Sequence, residues 1–122
     1  MRTFVAARRF DPVDQHDFAS LSGDVNPMHV DPVAARRTPA GECVVHGVHA
    51  VLWALDRLVA ARFVKAPIAT LDAKFQKFIY VGAEVTLDVV RDTEESLRAE
   101  IVADGTTTTV LTIAYGEPNA GG

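Results

Sequence analysis

A carboxylate, an amide and an imidazole lie within six residues of one another, at Asp24, Asn26 and His29. An imidazole titrates near neutral pH, and a carboxylate beside it can activate a water molecule. Gly23 and Pro27 bend the segment, because glycine opens backbone conformations that other residues avoid and proline fixes φ. The spacing therefore suggests general acid-base chemistry on a loop. An ordinary Asx-type turn, with His29 capping the next helix, explains the residue types equally well.

His46 and Gly47 form a second candidate, at the predicted start of a long helix. Amide N–H groups at a helix N-terminus can hold a carbonyl oxygen or an oxyanion, and a glycine there allows a ligand to approach the backbone. The alternative is a helix-start glycine beside a histidine buried in the core, which is the commoner arrangement. Taken alone, the pair favours this structural interpretation.

The other histidines and the single cysteine carry weaker signals. His46 and His49 are three residues apart and could share a helix face, but no HExxH motif or cysteine partner accompanies them, so no metal site is predicted. Cys43 would need His46 as its base to act as a nucleophile, and a small buried cysteine is the commoner interpretation. Four aromatic residues are assigned to the core rather than to a cofactor platform: Trp53, Phe63, Phe75 and Phe78.

Length and composition indicate one ordinary globular domain. The chain has 122 residues, of which 48% are hydrophobic and 23% charged, and this argues against disorder. The net charge of −4, without a basic cluster, argues against a nucleic-acid partner. No signal peptide is recognisable, and no stretch approaches the ~20 apolar residues of a membrane span. The sequence therefore predicts a soluble, cytoplasmic protein without membrane association.

The first half of the chain predicts a strand and two short helices on either side of the loop that carries Asp24 and His29. Residues 3–10 are expected to be extended. Asp14 is the expected N-cap of a first helix that ends near Leu21, with Gly23 just past its end. Asp31-Pro32 predicts the cap and first residue of a second short helix.

The second half changes from helical to strand periodicity. Residues 48–63 predict one long helix, apolar nearly all round and therefore buried. A long strand is predicted over 68–81, with a bend near Gln76, and alternating residues predict three more strands. Asp104-Gly105 is a hairpin signal. The order predicts an α+β fold in which an antiparallel β-sheet is wrapped around a long central helix.

Residues 18–35 closely resemble the hydratase signature of the MaoC-like dehydratase family, which includes the (R)-specific enoyl-CoA hydratases. Residues 45–47 resemble the segment before that family's central helix, and residues 75–82 resemble its strand that runs from a phenylalanine to a glycine. The motifs occur in the family's order and cover most of the chain. The resemblance implies a hot-dog fold over residues 1–115.

The resemblance also implies an activity, the reversible syn addition of water to a trans-2-enoyl thioester without a cofactor. In the family's pattern, Asp24 acts as base toward the water, and His29 positions the water and helps to return a proton to Cα. The Gly47 N–H holds the thioester oxygen as the enolate develops. The supporting positions are Asn26, Ser22, Gly23, Pro27 and His46. The implied partners are an acyl-CoA or acyl-carrier-protein thioester and a second copy of the chain, as a homodimer or a dimer of dimers.

Two other functions stay open at this point. A hot-dog thioesterase would need a carboxylate poised on the long helix, where only Asp56 lies, late and toward solvent. A non-catalytic acyl-thioester-binding module of a larger protein is suggested by residues 116–122, whose composition predicts a flexible tail or the start of a linker. Residues 78–80 lack a proline that the family often carries, and this departure leaves the acyl-chain preference open.

Overall fold

In a computed structural model, residues 2–38 and 40–116 are described, so most of the predicted tail lies outside the described residues. Within them, the chain forms a strand, four helices and then four more strands. The elements are β1 (Thr3–Arg9), α1 (Pro12–Ser22), α2 (Pro27–Val30), α3 (Pro32–Ala35), α4 (Gly47–Ala60), β2 (Ile68–Phe75), β3 (Glu84–Asp92), β4 (Ser96–Ala103) and β5 (Thr106–Tyr115).

The strands form one antiparallel sheet in the order β1-β3-β4-β5-β2. One side of α4 packs with the sheet in a single apolar core, to which the helix contributes Ala50, Val51, Ala54 and Leu58. Buried apolar residues alternate with more exposed residues along β3 and β4, so one face of each strand lies in the core. The predicted combination of an antiparallel sheet and a long helix is therefore confirmed.

The Asp104-Gly105 hairpin is also confirmed. Both residues have positive φ, at 48° and 81°, and they join β4 to β5. Positive φ at both central positions is what a type I′ turn requires, and that turn matches the twist of the paired strands.

The start of α1 differs from the prediction. The N-cap is Asp11, whose side chain accepts from the Asp14 amide, and the Asp14 side chain in turn accepts from the Asp11 amide. Pro12 is the first helical residue, where its missing N–H does no harm. Asp14 is thus the second member of a capping box, and the helix begins one turn earlier than expected.

The expectation that α4 is buried all round is wrong. Val48, Leu52 and Val59 are 59%, 51% and 54% exposed, because the sheet covers only the opposite side of the helix. The helix also ends at Ala60, earlier than predicted, and Arg62 follows with a φ of 65°. Among the aromatic residues assigned to the core, Phe75 and Phe78 are likewise exposed, at 55% and 47%.

The predicted 68–81 strand is interrupted at the expected bend. Ladder pairing in β2 ends at Phe75, and the amides of Gln76 and Lys77 both donate to the Thr108 carbonyl. The chain then pairs with the segment that precedes α4, where the Val45 amide donates to the Ile79 carbonyl at 2.7 Å. This pairing fixes the entry into α4. No helix in the described ranges is long and apolar enough to cross a bilayer.

Candidate active site

The loop between α1 and α2 is built by side chains that accept hydrogen bonds from the backbone two residues ahead. The Asp24 amide donates to Ser22 Oγ at 3.1 Å, the Asn26 amide to Asp24 Oδ1 at 3.2 Å, and the Met28 amide to Asn26 Oδ1 at 3.1 Å. These are serine and Asx turns, so the turn interpretation of the segment is correct for these atoms. It leaves the second oxygen of Asp24 free for other contacts.

Gly23 and Pro27 set the ends of this loop. Gly23 closes α1 with a φ of 79°, and its amide donates to the Ala19 carbonyl at 2.9 Å. Pro27 is the first residue of α2, a single turn that carries His29. The chain is irregular between these two residues, and regular structure resumes after Asn26, which serves as the N-cap of α2.

Asp24 and His29 are brought together across the loop. Asp24 Oδ2 lies 3.8 Å from His29 Nε2. This separation is too long for a direct hydrogen bond and allows one water molecule to bridge the two atoms. The Asp24 side chain is 52% exposed and that of His29 is 12% exposed, so the pair opens to solvent on the carboxylate side.

The His29 ring is oriented by its other nitrogen. Nδ1 lies 2.8 Å from the Val44 carbonyl oxygen, which can only accept, so Nδ1 carries the proton. In the neutral ring, Nε2 then presents a lone pair toward Asp24. The tautomer is the one required if His29 is to accept a hydrogen bond from a water held between the two side chains.

His46 supports both members of this pair. It is 2% exposed, and its Nε2 donates to the Asp24 backbone carbonyl at 3.0 Å. Its ring stacks on that of His29, with centroids 4.0 Å apart and planes 24° apart. Phe18 packs on the His46 ring at 4.8 Å. His46 therefore holds the Asp24 backbone and limits the movement of His29, consistent with its predicted supporting position.

Gly47 begins α4, and no side chain caps the helix. A Cβ at Gly47 would lie 2.8 Å from Cε1 of Phe75, so the ring in its present position leaves no room for a side chain here. Gly47 and His29 both line a cavity of about 190 Å³, whose wall also includes Phe75 and Phe78. The structure thus brings His29 and Gly47 to one space. Asp24 does not line that cavity, but its Oδ2 lies 3.8 Å from Nε2 of His29, which does.

Gln15 is a further residue of this site that the sequence reasoning missed. It lies on α1, is 1% exposed, and its Nε2 donates to the carbonyls of His29 and Val44 at 2.9 Å and 2.7 Å. Its Oε1 is buried and has no partner among the described residues. A buried acceptor without a partner costs about 1–3 kcal/mol. The sequence signal that could have identified Gln15 is a polar side chain on the same helix face as the apolar Ala19.

Asp24, His29 and His46 each offer one atom of a type that binds metals, and these atoms lie within 4.8 Å of one another. The sequence reasoning had considered His46 with His49 instead. His29 Nδ1 and His46 Nε2 donate to carbonyls, so the nitrogens that keep a free lone pair are His29 Nε2 and His46 Nδ1. The stacked rings also direct their lone pairs along nearly parallel planes, whereas a tetrahedral ion needs ligands that converge. The arrangement fits hydrogen bonding better than metal binding.

Two alternative reactive groups gain no support from the structure. Burial, with the nearby Asp31 and Glu42 carboxylates, raises the pKa of the Cys43 thiol, and this disfavours the nucleophilic thiolate. Asp56 on α4 has a side chain that is 70% exposed and pairs with the neighbouring Arg57. It does not line the cavity that contains Gly47, where a thioesterase carboxylate would be needed.

His49 predicts a specific pH dependence of stability. Its ring stacks on Phe18 at 4.4 Å and meets the edge of Phe10 at 5.0 Å. Burial lowers the pKa of His49 below its usual 6.5, with Arg8 and then His46 adding to the effect and Asp14 opposing it. The unfolded chain therefore binds the proton more readily than the folded one, and stability falls as the pH drops below about 6.5.

Replacing His49 by phenylalanine should reduce that loss. We expect the free energy of unfolding, measured by urea denaturation at pH 7.5 and pH 5.5, to differ less between the two pH values in His49→Phe than in the wild type. An equal or larger pH difference in the variant would show that His49 does not contribute to it.

Comparison with known proteins places this geometry in context. Residues 2–112 match the family described as MaoC like domain. A mitochondrial 3-hydroxyacyl-[acyl-carrier-protein] dehydratase of Arabidopsis thaliana is 32% identical over 78 residues, which cover 64% of this chain and 46% of the plant protein. The similar dehydratase FERN of Solanum lycopersicum is 30% identical over 83 residues, covering 68% of this chain and 50% of its own. The chain thus spans about half the length of these curated relatives.

Solved structures share the fold. The (R)-hydratase from A. caviae involved in PHA biosynthesis aligns with a TM-score of 0.76 and 24% identity, covering 93% of this chain and 91% of that one. At this level of identity the similarity concerns the fold alone. It confirms the predicted hot-dog arrangement of a sheet around a long helix.

Proposed function

The chain belongs to the MaoC like domain family, and on this premise we propose that it is a hydro-lyase that adds water reversibly to a trans-2-enoyl thioester to give an (R)-3-hydroxyacyl thioester. The observation that carries the proposal is the Asp24–His29 pair, 3.8 Å apart beside a cavity that also contains Gly47. The names of the relatives, two dehydratases and an (R)-hydratase, support the same reaction in its two directions.

Water is activated between Asp24 and His29 in this proposal. Asp24 Oδ2 and His29 Nε2 both accept hydrogen bonds from it, because Nδ1 of the ring already donates to Val44. Asp24 takes a proton as the water oxygen bonds to Cβ, and the electron pair of the C=C bond moves toward the thioester carbonyl. The Asp24–His29 pair returns a proton to Cα on the same face, so the addition is syn and one water is consumed.

The negative charge that develops on the thioester oxygen needs fixed donors. The Gly47 amide at the start of α4 is the proposed donor, since the helix has no side-chain cap and its N-terminus carries partial positive charge. The Phe75 ring against Gly47 forms an apolar wall at this point. It would exclude water from the oxygen and thereby strengthen the hydrogen bond.

A second copy of the chain is the proposed cover for the exposed side of α4. Large apolar side chains are exposed there, namely Val48, Leu52 and Val59, and also at Phe75, the last residue of β2, and at Phe78. Exposed apolar surface of this kind marks interaction sites. A homodimer or a dimer of dimers would bury them. Sedimentation equilibrium should give at least twice the mass of a single chain, and a monomer at micromolar concentration would contradict this assembly.

The cytoplasmic location of the protein stays a prediction.

The activity is tested with trans-2-enoyl thioesters of increasing chain length, linked either to CoA or to acyl-carrier protein. We expect loss of the enoyl absorbance with at least one of them, and no release of free thiol. Thiol release without hydration would indicate the thioesterase instead. Tight binding without either reaction would indicate the non-catalytic module. The same panel identifies the carrier and the chain length.

A further inference from the structure

Gln15 contacts the candidate active site through hydrogen bonds to its backbone carbonyls. Both N–H groups of its side-chain amide are used, one for the His29 carbonyl at 2.9 Å and one for the Val44 carbonyl at 2.7 Å. The Val44 carbonyl also accepts from His29 Nδ1 at 2.8 Å. A single amide therefore joins the backbone of His29 to the carbonyl that orients the His29 ring.

Neither packing nor helix formation requires an amide at this position. Gln15 shares a buried face of α1 with Ala19, where an apolar side chain would fill the same space. The amide instead leaves Oε1 buried without a partner among the described residues, and a half-satisfied buried polar group is less favourable than an apolar core. Its nitrogen, by contrast, holds two carbonyl oxygens close together, and these would repel each other without a shared donor.

We propose that Gln15 is a positioning residue for His29: its amide holds the Val44 carbonyl against Nδ1 and so keeps Nε2 directed toward Asp24. This inference rests on the proposed hydration activity for its kinetic consequences. Gln15 touches no reacting atom in this account. It acts through the Val44 carbonyl and the backbone of His29.

The first test replaces Gln15 by leucine, which has similar size and no donors. We expect kcat for enoyl-thioester hydration to fall roughly tenfold, the loss that corresponds to about one hydrogen bond, while KM changes less than twofold. Thr93→Val is the matched control, because it removes the hydrogen bonds that the Glu95 and Ser96 amides donate to Thr93 Oγ1 in the turn between β3 and β4. It should leave kcat unchanged. Equal kcat in Gln15→Leu and the wild type would overturn the proposal.

The second test uses Gln15→Glu as a titratable donor. A protonated carboxyl can donate to one of the two carbonyls, whereas an ionised carboxylate can donate to neither and is repelled by both. Burial raises the pKa of such a carboxyl, so the change falls within an accessible pH range. Gln15 also lines a cavity of about 370 Å³ with the titratable His16 of the same helix and with charged and titratable groups from other parts of the chain: His29, Arg36, Glu42 and Cys43.

The ratio of the kcat of Gln15→Glu to that of the wild type should therefore fall as the pH rises. Because a buried carboxylate also destabilises the fold, the free energy of unfolding of the variant is measured over the same pH range, and the kinetics are read only where the variant stays folded. A ratio that does not change with pH would contradict the proposal. Taking the ratio removes the pH dependence of the wild-type reaction itself.

A third measurement needs no activity and separates this inference from the proposed function. Nitrogen-15 NMR of the His29 ring distinguishes a protonated Nδ1 from a protonated Nε2. We expect the wild type to have the proton on Nδ1 and Gln15→Leu to shift toward a mixture of tautomers. If the wild type hydrates no enoyl thioester but the tautomer shifts, only the proposed function fails. Identical ring signals in both proteins would exclude the positioning role.

Discussion

Replacing Asp24 by asparagine is expected to lower kcat for enoyl-thioester hydration by about 10²–10⁴-fold, the usual contribution of a general base. The asparagine retains an oxygen that can accept from the Asn26 amide, as Asp24 Oδ1 does at 3.2 Å, so the turn should persist. It cannot take the proton of the bound water. His29→Ala should cause a loss of similar size, because it removes Nε2. Steady-state kinetics with the best thioester of the panel measure both effects.

Asn26→Ser is the matched control for these variants. Asn26 caps α2 by accepting from the Met28 amide, and serine is an equally good cap. The control should keep kcat within a few-fold of the wild type. It separates the folding role of the loop from its chemistry. Wild-type kcat in either Asp24→Asn or His29→Ala would remove the pair from the mechanism.

Gly47→Ala is expected to lower both stability and kcat. The added Cβ would lie 2.8 Å from Cε1 of Phe75, so the ring or the helix must move. Overpacking costs about 1–3 kcal/mol in a packed core, and we expect the lower end here because the Phe75 ring is 55% exposed and can move toward solvent. The gain of alanine over glycine, up to about 1 kcal/mol in a helix interior, is smaller at the first residue of α4. Displacement of the Gly47 amide from the thioester oxygen should also lower kcat. Urea denaturation and steady-state kinetics measure the two effects separately.

The double variant Gly47→Ala/Phe75→Ala distinguishes two reasons for the glycine. Compared with Phe75→Ala alone, it should show no loss of stability, because the colliding ring is gone. Its kcat should still be lower, because the methyl group restricts the approach of a ligand to the Gly47 amide. If kcat equals that of Phe75→Ala, the glycine serves packing with Phe75 and not substrate binding. If Gly47→Ala alone matches the wild type in stability, the close contact with Phe75 is not a constraint.

The elements that local patterns specify could be predicted from the sequence. Gly23 ends α1 and Asp31-Pro32 begins α3 as expected, because capping depends on the identity of one or two residues at the helix end. The predicted N-cap of α1, Asp14, was wrong because so few residues define a cap. Both Asp11 and Asp14 are good caps, and only their reciprocal hydrogen bonds show that Asp11 is the cap and Asp14 its partner.

Features that depend on distant parts of the chain could not be predicted in this way. The face of α4 that carries Val48 and Leu52 has helical periodicity, but periodicity does not reveal which apolar surfaces the same chain covers. Gln15 was missed because its partners, His29 and Val44, lie 14 and 29 residues further along. A single glutamine in a helix is ordinary, and only the folded structure shows which carbonyls its amide joins.

The candidate site combines features that the sequence predicts with contacts that only the folded structure shows. The types and spacing of Asp24 and His29 suggested one water-activating pair, and the turns formed by Ser22 and Asn26 explain how the loop brings them to 3.8 Å. The two interpretations of the loop are compatible, because one oxygen of Asp24 builds the turn while the other faces His29. Sequence reasoning treated them as alternatives because it could not separate the two oxygens.

The most direct test of the central claim, that Asp24 and His29 add one water to one face of an enoyl thioester, is the stereochemistry of hydration in D₂O. The wild-type product should be the (R)-3-hydroxyacyl thioester, with the deuteron at Cα delivered to the same face as the hydroxyl. An (S)-configured product, anti addition, or unchanged substrate at every chain length tested would contradict the account.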